Sequence, residues 1–441
     1  MRIKTVLLLA LALWACKENP ASIPPPEQQE ESQEQESAQD QEGPDQDYTP
    51  VSLKSAVTNV QPLTGIILWT DSRSQKSWLT MEYSYMRYDH VCKGKDQYDW
   101  SAMDDLLKEV AGRGHQAVVR FCYTYPGEWC SVPAYIKEEP GYEGIKYKTS
   151  GDGRAEYPDW RCEELQRFHM EFHRLFAERY DKDPRLAFVE TGFGHWGEYH
   201  VYGGKFIAGQ TFPSKAFQAE FLQAMDGWFQ HTPWLISIDA ADDHYAPFHE
   251  QPELLNLNFG NFDDSFMCSD HDGYNRECWE FFGEDRYKRA PLGGEFSYYT
   301  REDQQHCLDK EGMHGRVFED EVAAFHMTFI IGADQPRYQS DERIKEAAMS
   351  MGYRFRVTRY AVKPGAGVLL RIANMGVAPF YKDAYVAVDG VRASYNLREL
   401  MPGEEVEITL PLDSATLESK LTLESDFLLP GQTLPFEADL D

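Results

Sequence analysis

Positive charge is scarce in this sequence. It has 43 Lys and Arg against 73 Asp and Glu, a formal net charge of -30. It therefore lacks the clustered cations that a phosphate backbone requires, which argues against nucleic acid as a partner. No CxxC pair and no Cys/His zinc spacing occurs, so a structural zinc site is not expected. No Gly-rich phosphate loop or dinucleotide fingerprint follows an apolar run, which counts against a doubly wound nucleotide-binding fold. No loop matches a calcium motif, and no cofactor or metal is expected.

The opening run, "MRIKTVLLLALALWAC", is too short to span a bilayer. Arg2 and Lys4, an apolar stretch and then Leu13-Trp14-Ala15-Cys16 have the layout of a secretory signal. Its end resembles the lipobox of bacterial lipoproteins, which makes Cys16 the expected lipidation site and membrane anchor. Residues 17–48 are rich in Glu, Gln and Pro and almost free of large apolar side chains, so they read as a disordered acidic tether. The expected location is exported and lipid-anchored, at the outer membrane or cell surface of a Gram-negative bacterium. Beyond Cys16 there are seven cysteines, an odd number; Cys268 and Cys278 could close a small loop.

What is present from about Thr49 onward is an alternation of short apolar runs and amphipathic stretches. "GIILWT", "LTMEYSYMRY", "AVVRFCYTY", "LAFVETG", "WLISIDA", "LLNLNFGNFDDSF", "APLGGEFSYYT" and "AAFHMTFIIG" read as strands. Helices are expected from Ser101 to the Gly112–Gly114 punctuation, across the run with Leu165, Phe168, Phe172, Leu175 and Phe176 at helical spacing, and from Ser214. About eight such strands fit an α/β protein of the TIM-type (β/α)8 barrel class over 49–352. Short alternating strands over 353–441 read as a small all-β immunoglobulin-like sandwich.

In a barrel, chemistry gathers at the C-terminal strand ends. Two glutamates there each follow a glycine, Glu198 and Glu295, and two further strands lie between them. Glycoside hydrolysis needs such a pair, one carboxyl protonating the leaving oxygen and the other attacking or activating water. An apolar wall such as Trp196 raises one pKa, and an arginine such as Arg120 holds the other carboxyl ionised. The motifs "GFGHWGEYH", "GGEFSYYT" and "DQPRYQS", with the trailing β region, resemble a bacterial family of glycoside-hydrolase-like lipoprotein barrels classed as a domain of unknown function, similar to the large retaining glycosidase clan. The resemblance implies Glu198 as acid/base, Glu295 as nucleophile and Arg120 as its partner. Gly197 stands where the clan has Asn, and Glu190 is the competing acid on the same strand.

Tyr123, Glu190, His195, Trp196, His200, Asp239, Asp263, Tyr298 and Arg337 complete the expected carbohydrate-binding set with Arg120. Trp69, Trp160, Trp196, Trp234 and Trp279 are candidate stacking rings, shared with the alternative of core packing. Two other functions compete with hydrolysis: non-catalytic glycan capture, and a metal-dependent hydrolase or lyase using His195, Glu198 and His200.

Overall fold

The computed structural model describes residues 47–149, 153–202 and 204–441; the expected signal, the Cys16 anchor and the tether up to residue 46 lie outside them. Eight apolar runs become parallel strands: β1 Gly65–Trp69, β2 Met81–Arg87, β3 Gln116–Cys122, β4 Leu186–Thr191, β5 Trp234–Ser237, β6 Phe259–Phe266, β7 Leu292–Phe296 and β8 Phe329–Ile331. They pair in chain order and close where Ile330 of β8 lies opposite Ile66 of β1. Every residue of β3 and β4 is buried, as expected of strands covered on both faces. The molecule is a TIM-type barrel.

Helices α1 Ser101–Gly112, α2 Glu163–Tyr180 and α3 Lys215–Trp228 follow β2, β3 and β4. Ser214 caps α3, its hydroxyl accepting from the Phe217 N–H at 3.2 Å. On α2, Phe172 and Phe176 meet Phe121 of β3 edge-on, at 4.8 and 5.3 Å between ring centroids. Later come α4 Arg276–Phe282, α5 Phe318–Ala324 and α6 Asp341–Ala348. Two connecting stretches carry structure of their own: 126–163 contains an antiparallel pair, Ile145–Thr149 with Gly153–Tyr157, and 266–290 contains α4. Elements this short leave little periodicity to detect.

Beyond the barrel lie β9 Phe355–Lys363, β10 Gly367–Asn374, β11 Tyr385–Val388, β12 Val391–Asn396, β13 Glu405–Pro411, β14 Leu421–Glu424 and β15 Glu437–Leu440. They form two further sheets, β15-β9-β10-β13 and β12-β11-β14. The expected boundary at residue 49 shifts, because Thr49–Pro50 pairs with β9 and Leu53–Ser55 with β15. Lys54 reaches Asp439 and Asp441, and strand pairing holds these residues to the C-terminal sheet ahead of the first barrel strand.

The C-terminal sheets cover the end of the barrel where strands begin. The Lys382 ammonium donates to Leu186 O at 3.3 Å and Thr232 Oγ1 at 3.0 Å, and Gln116 donates to Gln432 Oε1 at 2.8 Å. Tyr353 and Phe355 join one buried cluster with the interior residues Ile67, Val118, Phe188 and Phe329. With that end sealed, access is left to the opposite mouth. All seven cysteines among the described residues are free, so Cys268 and Cys278 close no loop. No helix among these residues is long and apolar enough to cross a membrane.

Candidate active site

Strand alternation decides what faces the barrel axis. On β3, Phe121 turns outward to α2, so Arg120 turns inward and is completely buried. A guanidinium removed from water needs anionic acceptors. Glu190 Oε2 accepts from Arg120 Nε at 2.7 Å and from Nη2, and also from the Tyr83 hydroxyl at 2.9 Å. Arg120 Nη1 donates to Asp264 Oδ2 at 2.8 Å, to the Trp196 carbonyl at 3.1 Å and to the Tyr85 hydroxyl at 3.3 Å. Its guanidinium carbon sits 3.9 Å from the Phe262 ring centroid. Burial raises Glu190 to about 7 against the pull of Arg120.

The segment after β4 folds back on itself. Gly194 N–H donates to Glu198 O at 2.8 Å, and Glu198 N–H to His195 O at 2.8 Å. Gly197 has φ +76°, and a Cβ there would lie 2.9 Å from Arg120 Cδ. Trp196 occupies the same left-handed region at φ +51°, the conformation that aims its carbonyl at Arg120. This turn carries Glu198 over the barrel mouth, Oε1 3.9 Å from Arg120 Nη1 and Oε2 2.9 Å from His200 Nε2. Asp239 Oδ2 lies 3.8 Å from the same imidazole nitrogen. Burial pushes Glu198 up to about 7 while His200 pulls the other way. Burial alone would lower His200, but the Glu198 and Asp239 charges raise it.

Glu295, on β7 opposite Ile331, is the second acid of the mouth. Burial and the Asp264 charge lift it well above the usual carboxylate range, against Arg120 and a hydrogen bond with Trp69; the Glu198 charge lifts it further. The two glutamates thus feel one another's charge. Glu295 Oε1, Asp264 Oδ1 and Glu190 Oε1 find no hydrogen-bond partner among the described residues. Among the described residues, Arg120 and His200 are the cations set against these carboxylates, and Glu190, Glu198 and Glu295 are all raised, the first two to about 7.

Several expected contacts are redirected. Tyr123 does not line the mouth: two residues on from Phe121 and on the same outward face, it stacks on Tyr88 at 4.1 Å and bonds His169 Nδ1 at 3.0 Å. Asp263 likewise turns outward, where Asn275 donates at 2.8 Å, Ser265 N–H at 2.9 Å and Trp279 at 3.3 Å; its neighbour Asp264 takes the inward position. His195 is a buried support. Its Nδ1 accepts from Tyr202 N–H at 3.2 Å and its Nε2 bonds Tyr157 at 2.5 Å, and burial lowers it to about 3, which keeps the ring neutral. Trp160, Trp234 and Trp279 are core residues. Arg337 is exposed, with its guanidinium 5.9 Å from the Tyr338 ring. Tyr298 is half exposed and lies within the field of Glu295. Asp264, which the sequence offers beside Asp263 as a sugar-hydroxyl or Ca²⁺ contact, follows Phe262 by alternation; Tyr83 and Tyr85 lie outside the expected set, and the register that pairs Tyr85 with Arg120 places them.

No family model and no curated protein matches this chain. Among solved structures it is similar to the catalytic domain of a β-amylase from Paenibacillus polymyxa, with 12% identity and a TM-score of 0.41, over 66% of this chain and 97% of that one. It is also similar to endo-glycoceramidase II from Rhodococcus sp., with 10% identity and a TM-score of 0.40, over 81% and 98%. An α-galactosidase from Thermus thermophilus is similar at 10% identity and a TM-score of 0.37, over 73% and 66%. The barrel class itself rests on the strand register described above.

Proposed function

We propose that the protein is a glycoside hydrolase acting on an external polysaccharide or oligosaccharide by a retaining mechanism. The observation that carries this reading is that Glu198 and Glu295 both feel the Arg120 mouth, Glu198 lying 3.9 Å from its guanidinium and raising Glu295 through its charge, with burial holding Glu198 near a pKa of 7. A carboxyl of that pKa is still protonated near neutrality and can donate to a departing glycosidic oxygen. Glu295, which burial favours in its protonated form, first gives its proton to solvent, and its carboxylate then attacks the anomeric carbon as positive charge develops there. Water hydrolyses the glycosyl-enzyme, with Glu198 returning as base. Glu190 is spent on Arg120 and Tyr83 and serves to hold the guanidinium in place.

The finer assignments belong to the same proposal: a lipoprotein barrel of the family named above, lipidated at Cys16, displayed on a tether, with the two C-terminal sheets forming a sandwich. The test is hydrolysis of a glycan panel by the wild type, Glu198→Gln and Glu295→Gln, with the product anomer read by NMR. Each substitution is expected to lower kcat by about 100- to 10,000-fold, and the first-formed product to keep the substrate's configuration. Full activity in both variants defeats the assignment, and an inverted product defeats the retaining step.

One observation favours a second reading. Ligand atoms of Glu198, His200 and Asp239 all lie within 4.8 Å of one another, a set that fits a divalent cation. Asp239 here replaces His195, which is turned away to Tyr157. Metal analysis of the purified protein, with activity before and after chelation, separates the two readings.

A further inference from the structure

A cavity of about 500 Å³ opens beside the carboxylates, between the segments that follow β1, β2 and β3. Its wall is a run of four partly buried rings, Trp69, Tyr85, Tyr125 and Trp129. Successive centroids are 5.2, 5.5 and 5.2 Å apart, so the rings form one uninterrupted track. The inner end touches the catalytic groups: Trp69 is hydrogen-bonded to Glu295, and the Tyr85 hydroxyl accepts from Arg120. At the outer end the Arg87 guanidinium lies 5.2 Å from the Trp129 ring centroid.

The charges of this wall select its occupant. Arg87 is held by Asp89 through two hydrogen bonds of 2.9 and 2.7 Å, so its charge is already matched. The other charged side chains of the wall include Asp71 and Glu128, both acidic. Such a surface repels a carboxylate or sulfate. It offers ring faces to the C–H faces of an uncharged sugar, and oxygens to its hydroxyls. Pockets that enclose small ligands measure about 300–1,000 Å³, and this one has room for a short oligosaccharide segment rather than a single ring. Half-buried aromatic faces of this kind are costly to leave in water unless something covers them.

We propose that the Trp69–Trp129 cleft is a glycan subsite for a neutral oligosaccharide segment running away from Glu295, so that the preferred substrate is an uncharged chain of several sugars. The proposal rests on the hydrolase reading for its placement beside the cleaved bond. Occupancy of the cleft can nevertheless be measured without turnover.

The experiment titrates the full chain carrying Glu295→Gln with cellohexaose, mannohexaose, xylohexaose, maltohexaose and an oligogalacturonate, read by tryptophan fluorescence and calorimetry. At least one neutral hexasaccharide is expected to bind and shift the fluorescence. Adding Trp129→Ala is expected to weaken it about tenfold, with Trp129→Phe retaining part of the affinity. In the active protein, the same Trp129→Ala change should flatten the rise of kcat/KM with chain length. Undiminished binding in a folded Trp129→Ala protein overturns the proposal. So does tighter binding of oligogalacturonate than of every neutral chain, or no binding of any. Binding through Trp129 without cleavage by the wild type leaves the subsite standing and defeats the hydrolase reading. Cleavage that ignores Trp129→Ala does the reverse.

Discussion

His200 Nε2 lies 2.9 Å from Glu198 Oε2 and 3.8 Å from Asp239 Oδ2, so one imidazole nitrogen faces two carboxylates. The imidazole is thus shared by the candidate acid and a second carboxylate, and its charge lowers the Glu198 pKa that burial raises. His200→Gln keeps a hydrogen-bond donor and removes the charge. The Glu198 pKa should then rise, and the alkaline limb of kcat/KM, where the acid loses its proton, should move to higher pH. A pH–rate profile of the two proteins checks this; a limb that stays in place or falls counts against it.

Stability should carry the same signature. Glu198 is raised from an ordinary 4.5 to about 7, so the folded state binds its proton more tightly than the unfolded chain does. That contribution is fully present below about pH 4.5, is lost as pH rises, and is gone above pH 7. Glu198→Gln removes the penalty of holding a buried carboxylate. The variant should therefore melt higher than the wild type at pH 8, by an amount on the order of 3 kcal/mol, and the difference should vanish near pH 4. Thermal melts at the two pH values decide it.

Arg120 is expected to be the most costly single residue of the mouth. Arg120→Met strands Glu190 and Asp264 in a buried setting, and should destabilise by about 3–5 kcal/mol. The double variant Arg120→Met, Glu190→Gln should recover part of that loss, because one of the stranded charges is gone. Urea unfolding of both variants measures the recovery.

Asp263 and Asp264 are neighbours with opposite duties. Asp263→Ala leaves the Asn275 and Trp279 donors without their acceptor, and should cost about 1–3 kcal/mol for each buried group left unpaired. Asp264→Asn should act chiefly on turnover, because its carboxylate contacts Arg120 and lifts Glu295. Equal melting losses in the two variants would refute this division.

Gly197 tests the turn. With φ +76° and Arg120 Cδ 2.9 Å from where a Cβ would stand, Gly197→Ala should shift the Glu198 segment or the guanidinium. The expected cost is about 1–3 kcal/mol, with a fall in activity larger than that of Gly227→Ala, where a Cβ meets nothing within 4 Å. Melting and rate measurements on both variants compare them.

The sequence by itself determined the barrel. Runs such as "AVVRFC" and "LAFVET" are apolar without alternation, the pattern of strands buried on both faces, and helical spacing on the Phe168–Phe176 face dictated α2. It also marked Glu198 and Glu295, because glycine before an acid at a strand end is a local signal. Two-residue alternation was legible in principle, and it separates Asp264 from Asp263 and Arg120 from Tyr123 once one inward residue is known. What fixes that phase is which residue meets the helices, a non-local fact. The tertiary structure alone decided three things. His195 belongs to Tyr157 and not to a metal, since its partner is 38 residues away. Residues 49–55 belong to the C-terminal sheet, since their strand partners lie more than 300 residues on. The charge state of the mouth follows from one guanidinium shared among carboxylates on different strands, because burial and Coulomb terms depend on distances that no local pattern encodes.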